Sequence, residues 1–145
     1  MKKIVAVSAV VLAVAGLAAA RGAKKQAVAW PAAKLQWTEL VPGKGIMAAA
    51  LWGDMKKGEY GALVKYPAGA VEPLHGHRRD MMAVVVSGSM VYASEGGPET
   101  ALGPGSYLMV PGELEHSSRI GEDAPCVLLQ VQSGKYDSAP AQQKK

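Results

Sequence analysis

Glycine and proline interrupt this chain at short intervals, and their spacing limits the fold more than any other feature. Between residues 35 and 137 the breaks recur about every 8–12 residues, a spacing typical of all-β sandwiches and barrels. The apolar runs between them are short, and one contains Val84, Val85 and Val86, whose β-branched side chains favour strands. After residue 20, no stretch of 11 or more residues is both free of turn residues and amphipathic with a helical period. The spacing therefore predicts an all-β fold.

The 145 residues predict one domain, since this length allows one hydrophobic core but not two. We assign the domain to residues 35–137, preceded by a flexible Ala- and Lys-rich leader at 21–34 and followed by a polar tail at 138–145. The predicted strands of the domain are 35–41, 45–52, 59–66, 73–77, 81–86, 89–94, 98–102, 106–110, 115–119 and 125–132.

Residues 1–20 have the pattern of a secretory signal peptide. Lys2 and Lys3 precede an uncharged run from Ile4 to Ala20, and Ala18 and Ala20 provide the small residues of a cleavage site. We expect cleavage after Ala20 and a periplasmic or secreted protein without a membrane partner. The alternative is an uncleaved anchor, for which the apolar run is short.

The net charge of +4 suggests nucleic-acid binding until the charges are located along the chain. Within residues 35–137 there are 8 Lys and Arg residues against 12 Asp and Glu residues, a net charge of −4. The net positive charge therefore comes from the ends of the chain, and a nucleic-acid partner is not expected.

Cys126 is the one cysteine of the chain, which excludes an internal disulfide and a CxxC motif. It begins an apolar run, so we expect it in the core. Metal ligation and an intermolecular disulfide are the alternatives.

The three histidines of the chain are His75, His77 and His116. His75 and His77 are two residues apart, so on a strand their side chains point to the same side and can bind one ion. His116 follows a separate strand and joins them only if the sheet folds back on itself.

Two segments resemble the motifs of the cupin superfamily. Residues 69–77, GAVEPLHGH, followed by Gly88, resemble the first motif, and residues 105–116, GSYLMVPGELEH, resemble the second. The resemblance covers residues 35–137. Within the superfamily, this segment is distantly similar to the cupin domain of ChrR-type anti-sigma factors. It implies an antiparallel jelly-roll barrel of the RmlC-like kind, with His75, His77 and His116 as metal ligands.

The chain departs from the cupin pattern at three positions. Met81 stands where cupins usually place a metal-binding Glu, Glu113 stands in place of a Gly, and Ile120 replaces a polar residue. The three histidines therefore carry over as ligands, but the carboxylate does not.

Four further residues are candidates for the pocket or for contacts with the ligands. Strand alternation places Met81 inward, as apolar lining or a weak copper ligand, and Asp80 outward. Asp80 reaches the site only through a β-bulge or as an acceptor for a ligand N–H. Tyr107 is expected in the core or pocket wall, and Glu113 either as an exposed loop carboxylate or as an acid/base.

Three neutral imidazoles leave the full charge of a divalent ion in place, which favours a small anionic ligand. Imidazole suits Fe, Zn, Mn, Ni and Cu, so the metal is not specified. One hypothesis is a metal-dependent enzyme of the dioxygenase or isomerase type. The others are a non-catalytic module that binds or senses a metal or small ligand, and a metal-free cupin. A homodimer is compatible with each of them.

Overall fold

The computed structural model describes residues 26–140, which form two antiparallel β-sheets and one 3-10 turn, Ala32–Lys34. The strands are β1 (Thr38–Val41), β2 (Ile46–Gly53), β3 (Tyr60–Tyr66), β4 (Val71–Gly76), β5 (Met81–Ser87), β6 (Met90–Ser94), β7 (Thr100–Leu102), β8 (Tyr107–Val110), β9 (His116–Ile120), β10 (Cys126–Gln132) and β11 (Ala139–Pro140). The ten predicted strands correspond to β1–β10, with ends within about three residues, as is usual for element boundaries.

The two sheets have the order β1-β2-β3-β10-β5-β8 and β11-β4-β9-β6-β7. Consecutive strands repeatedly change sheet, as in the step from β4 to β5 and from β9 to β10, which is the arrangement of a jelly roll. The predicted all-β jelly-roll fold is therefore confirmed.

The core lies between the sheets because each strand turns alternate side chains inward. Strand β10 shows this alternation, with Cys126, Leu128, Gln130 and Gln132 buried on one side. One cluster joins residues of both sheets: Met81, Ala83, Val85, Met90, Val110, Ile120, Cys126 and Leu128. Cys126 is fully buried with a free thiol, which confirms the prediction that it is a core residue.

Parts of the expected leader and tail contact the domain. The indole Nε1 of Trp30 donates a hydrogen bond to the carbonyl of Leu51 at 3.1 Å, and β11 pairs with β4 opposite His75 and Gly76. The expected signal peptide, residues 1–20, lies outside the described residues. Among residues 26–140, no helix has the length and apolar character needed to span a bilayer.

The motif glycine Gly88 forms the turn between β5 and β6 with a φ of +73°, in the left-handed region that glycine adopts without strain. A Cβ at this position would collide with the carbonyl oxygen of Pro125 and lie 2.8 Å from Cα of Cys126. The turn therefore packs directly on the start of β10.

We expect Gly88→Ala to destabilise the domain more than Gly96→Ala, a matched control. Gly96 has a similar φ of +70°, but nothing lies within 4 Å of its added Cβ. Gly96→Ala should lower the free energy of unfolding by about 1–2 kcal/mol through backbone strain. Gly88→Ala should cost an additional ~1–3 kcal/mol because the backbone of β10 must move. Urea denaturation measures both, and equal losses would contradict the close contact.

Candidate metal centre

The three histidines meet because β4 and β9 are neighbours in one sheet. His75 pairs directly with His116 across these antiparallel strands, and His77 follows β4 immediately. All three are buried, with at most 8% of their surface exposed. One ligand atom from each lies within 4.8 Å of the others, so the three residues are positioned to bind one metal ion.

Each histidine is oriented by a backbone carbonyl that faces Nδ1. His75 Nδ1 lies 2.7 Å from the oxygen of Pro73, His116 Nδ1 lies 3.1 Å from the oxygen of Leu114, and His77 Nδ1 contacts the oxygen of Asp137. A carbonyl oxygen only accepts, so Nδ1 must carry the proton in all three rings. The lone pair of each imidazole is then on Nε2, available to a metal.

Burial favours the neutral form of two of these imidazoles, those of His116 and His77. Burial is the main reason that the pKa of His116 is lowered to about 4. The hydrogen bond that His116 donates to the carbonyl of Leu114 opposes this shift, and the neighbouring His75 and His77 add a smaller lowering. Burial also lowers the pKa of His77. Neutral imidazole is the form that ligates metals, so no proton has to be displaced from these two residues at neutral pH.

The carbonyl that orients His77 is the backbone carbonyl of Asp137. Its side chain is fixed at two points, since Oδ2 accepts from the backbone N–H of Arg78 at 3.0 Å and Oδ1 accepts from Nε2 of Gln132 at 2.8 Å. Gln132 is fully buried and accepts from the hydroxyl of Tyr60 at 2.9 Å. The hydroxyl of Tyr60 in turn accepts from Nε2 of Gln130 at 2.9 Å. A chain of buried and partly buried hydrogen bonds therefore connects His77 to the interior of the barrel.

The histidines line a cavity between the sheets whose space open to a water-sized molecule is about 30 Å³. Its apolar wall includes Met81, Met90 and Leu128, and its polar wall includes Tyr66, Glu72 and Tyr136. A water molecule needs roughly 10–15 Å³ of such space. The cavity thus has room for an ion with one or two small ligands, and a larger molecule requires side chains to move.

Glu72 brings a carboxylate into the cavity wall from β4. Glu72 and His75 are three residues apart, so a regular strand would place them on opposite faces. The pairing of β4 with β9 shifts register between them, and this bulge lets both line the same cavity.

The tyrosines of the cavity wall are held protonated. Burial raises the pKa of Tyr66 and of Tyr136, and the negative charge of Glu72 raises both further. Burial also raises the pKa of Tyr92, whose ring lies 5.6 Å from that of His116. These residues therefore present neutral O–H groups beside the three histidines.

The four additional sequence candidates fall in different places. Met81 is buried and lines the cavity, as strand alternation predicts. Asp80 points outward, where Oδ1 accepts from the backbone N–H of Gly112 at 2.8 Å. The expectation that it accepts from a ligand N–H is wrong, because backbone carbonyls occupy all three of those positions.

Tyr107 and Glu113 do not belong to the cavity. Tyr107 pairs with Val84 on the outward side of β5 and β8, and 60% of its surface is exposed. The prediction that Tyr107 lies in the core or pocket wall is therefore wrong. Glu113 has a φ of +67° and donates its backbone N–H to the carbonyl of His77. Its side chain lies with Arg78 and Arg79 on an exposed groove, as an exposed loop carboxylate.

Sequence reasoning missed Glu72, Asp137 and the buried glutamines. Gln130 and Gln132 carried a usable signal, since they fall on the same side of β10 as the apolar Cys126 and Leu128. Two polar residues in the inward register of a buried strand indicate an internal hydrogen-bond network. Glu72 gave no such signal because the bulge that turns it inward is not encoded in the alternation.

Comparison with known proteins identifies the family. The chain matches the family model described as the ChrR cupin-like domain over residues 25–136. No curated protein matches it.

Solved structures share its fold at low identity. The DMSP lyase DddQ from Ruegeria pomeroyi DSS-3 is 24% identical with a TM-score of 0.60, and the match covers 77% of this chain but 62% of the lyase. KdgF from Halomonas sp. is 22% identical with a TM-score of 0.60, covering 74% of this chain and 94% of KdgF. The polyketide cyclase RemF from Streptomyces resistomycificus is 16% identical with a TM-score of 0.64, covering 83% of this chain and 89% of the cyclase. These likenesses show the fold, while the family model spans nearly all of residues 26–140, and the chain therefore belongs to the ChrR cupin-like domain family of the cupin superfamily.

Proposed function

We propose that this protein binds one divalent transition-metal ion through Nε2 of His75, His77 and His116. The observation that carries the proposal is the cluster of three histidines, whose ligand atoms lie within 4.8 Å of one another. A backbone carbonyl faces Nδ1 in each ring, which leaves Nε2 as the free nitrogen. Three imidazole ligands suit Fe, Zn, Mn, Ni or Cu. Met81 adds apolar lining beside them in place of a charged ligand.

We further propose that the site acts on a small anionic organic molecule. A divalent ion held by three neutral ligands supplies positive charge and open coordination positions to such a molecule. The protonated phenols of Tyr66, Tyr92 and Tyr136 can donate hydrogen bonds to an anion in the same cavity. Glu72 supplies a carboxylate that can accept a proton from a bound molecule.

A cavity wall with both a proton acceptor, Glu72, and protonated phenols favours acid/base chemistry of the isomerase type. An enzyme of the dioxygenase type would depend instead on the open coordination positions of the metal. The lyase and cyclase named among the structural neighbours agree with small-molecule chemistry on this fold. The small size of the cavity favours a second candidate, a non-catalytic module that binds or senses the metal with a small ligand. Organic ligand pockets usually reach ~300 Å³ or more, well above the ~30 Å³ open here.

Export to the periplasm or the exterior is a separate proposal. It is supported by Lys2 and Lys3, the uncharged run from Ile4 to Ala20, and the small residues Ala18 and Ala20 before the expected cleavage.

Replacing any one metal ligand tests the site directly. We expect His75→Ala, His77→Ala and His116→Ala each to lose stoichiometric metal, because two imidazoles cannot complete the site. Each purified variant is dialysed against a chelator-buffered metal solution, and elemental analysis of the dialysed protein then measures the bound metal. Ser118→Ala is the control, since Ser118 lines the same cavity without belonging to the ligand group. Full metal content in all three histidine variants would refute the proposed site.

Asp137→Ala tests the orientation of His77. The substitution removes both side-chain anchors of the carbonyl that holds Nδ1, and loss of such an orienting contact typically weakens metal binding about 10–100-fold. Competition with a metal-sensitive dye measures the affinity, and Asp123→Ala on an exposed loop is the control. An unchanged affinity in the folded variant would show that Asp137 does not position the ligand.

A further inference from the structure

The segment that follows β10 forms one side of the cavity that holds the three histidines. We call residues 134–140 the C-terminal strap. Tyr136 and Ser138 of the strap belong to the cavity wall. Between them, the backbone carbonyl of Asp137 faces Nδ1 of His77. The strap therefore encloses the cavity and supports one of the candidate ligands at the same time.

With the strap in this position the cavity is closed to an organic ligand. The histidines have at most 8% of their surface exposed, and about 30 Å³ is open to a water-sized molecule. Pockets for organic ligands usually reach ~300 Å³ or more. A small organic anion can therefore enter only after part of the cavity wall moves.

Strand β11, at the end of the strap, is held more weakly than the other strands of the wall. Most of the remaining wall residues lie on strands with a neighbour on each side, such as β3, β5, β9 and β10. In contrast, β11 is a two-residue edge strand that pairs with β4 alone, and its Pro140 has no N–H to donate. Local opening takes place first where few buried contacts and exposed hydrogen bonds hold the chain.

Two other residues of the strap keep it against the domain. The backbone N–H of Tyr136 donates to the carbonyl of Met55 at 2.7 Å, and its side chain packs against one of the core clusters. The side chain of Asp137 accepts from the backbone N–H of Arg78 and from Nε2 of Gln132. The contact with Arg78 is exposed, so water can replace it when the strap moves.

We propose that the C-terminal strap is a gate over the metal centre, which opens when β11 separates from β4 and thereby admits ligands to the cavity. The proposal rests on the proposed metal site. Because the carbonyl of Asp137 belongs to the strap, opening also withdraws the acceptor that orients His77. His77 recovers its orientation when the strap closes over the bound ligand.

Metal binding and closure of the gate are therefore linked. A closed strap holds His77 with Nε2 free for the ion, so the closed form binds metal more tightly than the open form. Linkage is reciprocal, and bound metal must favour the closed strap by the same factor. The gate thus regulates both entry to the site and the hold of the site on its ion.

A disulfide between β4 and β11 locks the gate and tests the proposal. Gly76 and Ala139 are register partners, and Cα atoms of such antiparallel partners lie about 4.5–5.5 Å apart, within the range that a disulfide spans. A Cβ at Gly76 has room, since its nearest neighbour is the carbonyl oxygen of Leu114 at 3.8 Å. The Gly76→Cys/Ala139→Cys variant is locked with oxidised glutathione and unlocked with a phosphine reductant. Cys126 is fully buried and does not compete for the new thiols.

Modification by diethyl pyrocarbonate measures access to the cavity without any metal. This reagent acylates neutral imidazoles, and the three histidines of the chain all line the cavity. In the metal-free protein, we expect His116 to be modified at least ~10-fold more slowly in the locked form than in the reduced form, because the reagent enters only through the opened strap. Peptide mass spectrometry follows His116, whose own hydrogen bond is to Leu114 and not to the strap.

Release of Zn²⁺ to excess EDTA is the second measurement. The locked form should bind the same amount of Zn²⁺ as the reduced form but release it at least ~10-fold more slowly, since the strap no longer opens. If neither form binds Zn²⁺, the proposed metal site is refuted, and the modification of His116 still decides whether the gate exists.

Val91→Cys/Ala101→Cys is the matched control. It links β6 to β7 at the opposite edge of the same sheet, so oxidation should leave both rates unchanged. Asp137→Ala removes the side-chain anchors of the strap and should speed the modification of His116, and this variant needs no disulfide. Equal rates at His116 in the locked and reduced forms would overturn the gate, as would an unchanged rate in Asp137→Ala. Failure of the cysteines at positions 76 and 139 to form a disulfide would also overturn it, because the gate depends on their pairing.

Discussion

The pairing of β4 with β9 is the constraint on which the candidate metal centre depends. It places His75 directly opposite His116, and the residue after the end of β4 is His77. Carbonyls then determine which nitrogen of each ring is free, and two of them belong to residues two positions earlier in the same segments, Pro73 and Leu114. Strand pairing and local backbone geometry thus bring together three residues separated by up to 41 positions in the sequence.

The third carbonyl comes from a distant part of the chain. Asp137 lies 60 residues from His77, in the segment between β10 and β11, and is held by Gln132 and the backbone of Arg78. Since β11 also pairs with β4 at His75, the end of the described chain contacts two of the three histidines. The C-terminal segment therefore completes the site as well as closing the sheet.

The strands were predictable because they rest on local signals, whereas the histidine cluster was predicted through the resemblance to the two cupin motifs. Turn residues give the strand ends, alternation gives the inward position of Met81, and the apolar run that begins at Cys126 gives its place in the core. Glu72 was missed and Tyr107 was placed incorrectly, for two different reasons. A bulge turns Glu72 into the cavity, and the pairing with Val84 puts Tyr107 on the outward side of its strand. Such details of register depend on which strands become neighbours, and a single sequence does not show that pairing.

The assignment of the centre rests on the three imidazole tautomers, and long-range ¹H–¹⁵N correlation spectra of ¹⁵N-histidine-labelled protein measure them directly. In the metal-free protein, the neutral rings of His75, His77 and His116 should each carry the proton on Nδ1 and none on Nε2. Addition of one equivalent of Zn²⁺ should shift all three Nε2 resonances while each Nδ1 keeps its proton. A ring protonated on Nε2, or an Nε2 resonance that Zn²⁺ does not move, would contradict a single ion held by these three residues.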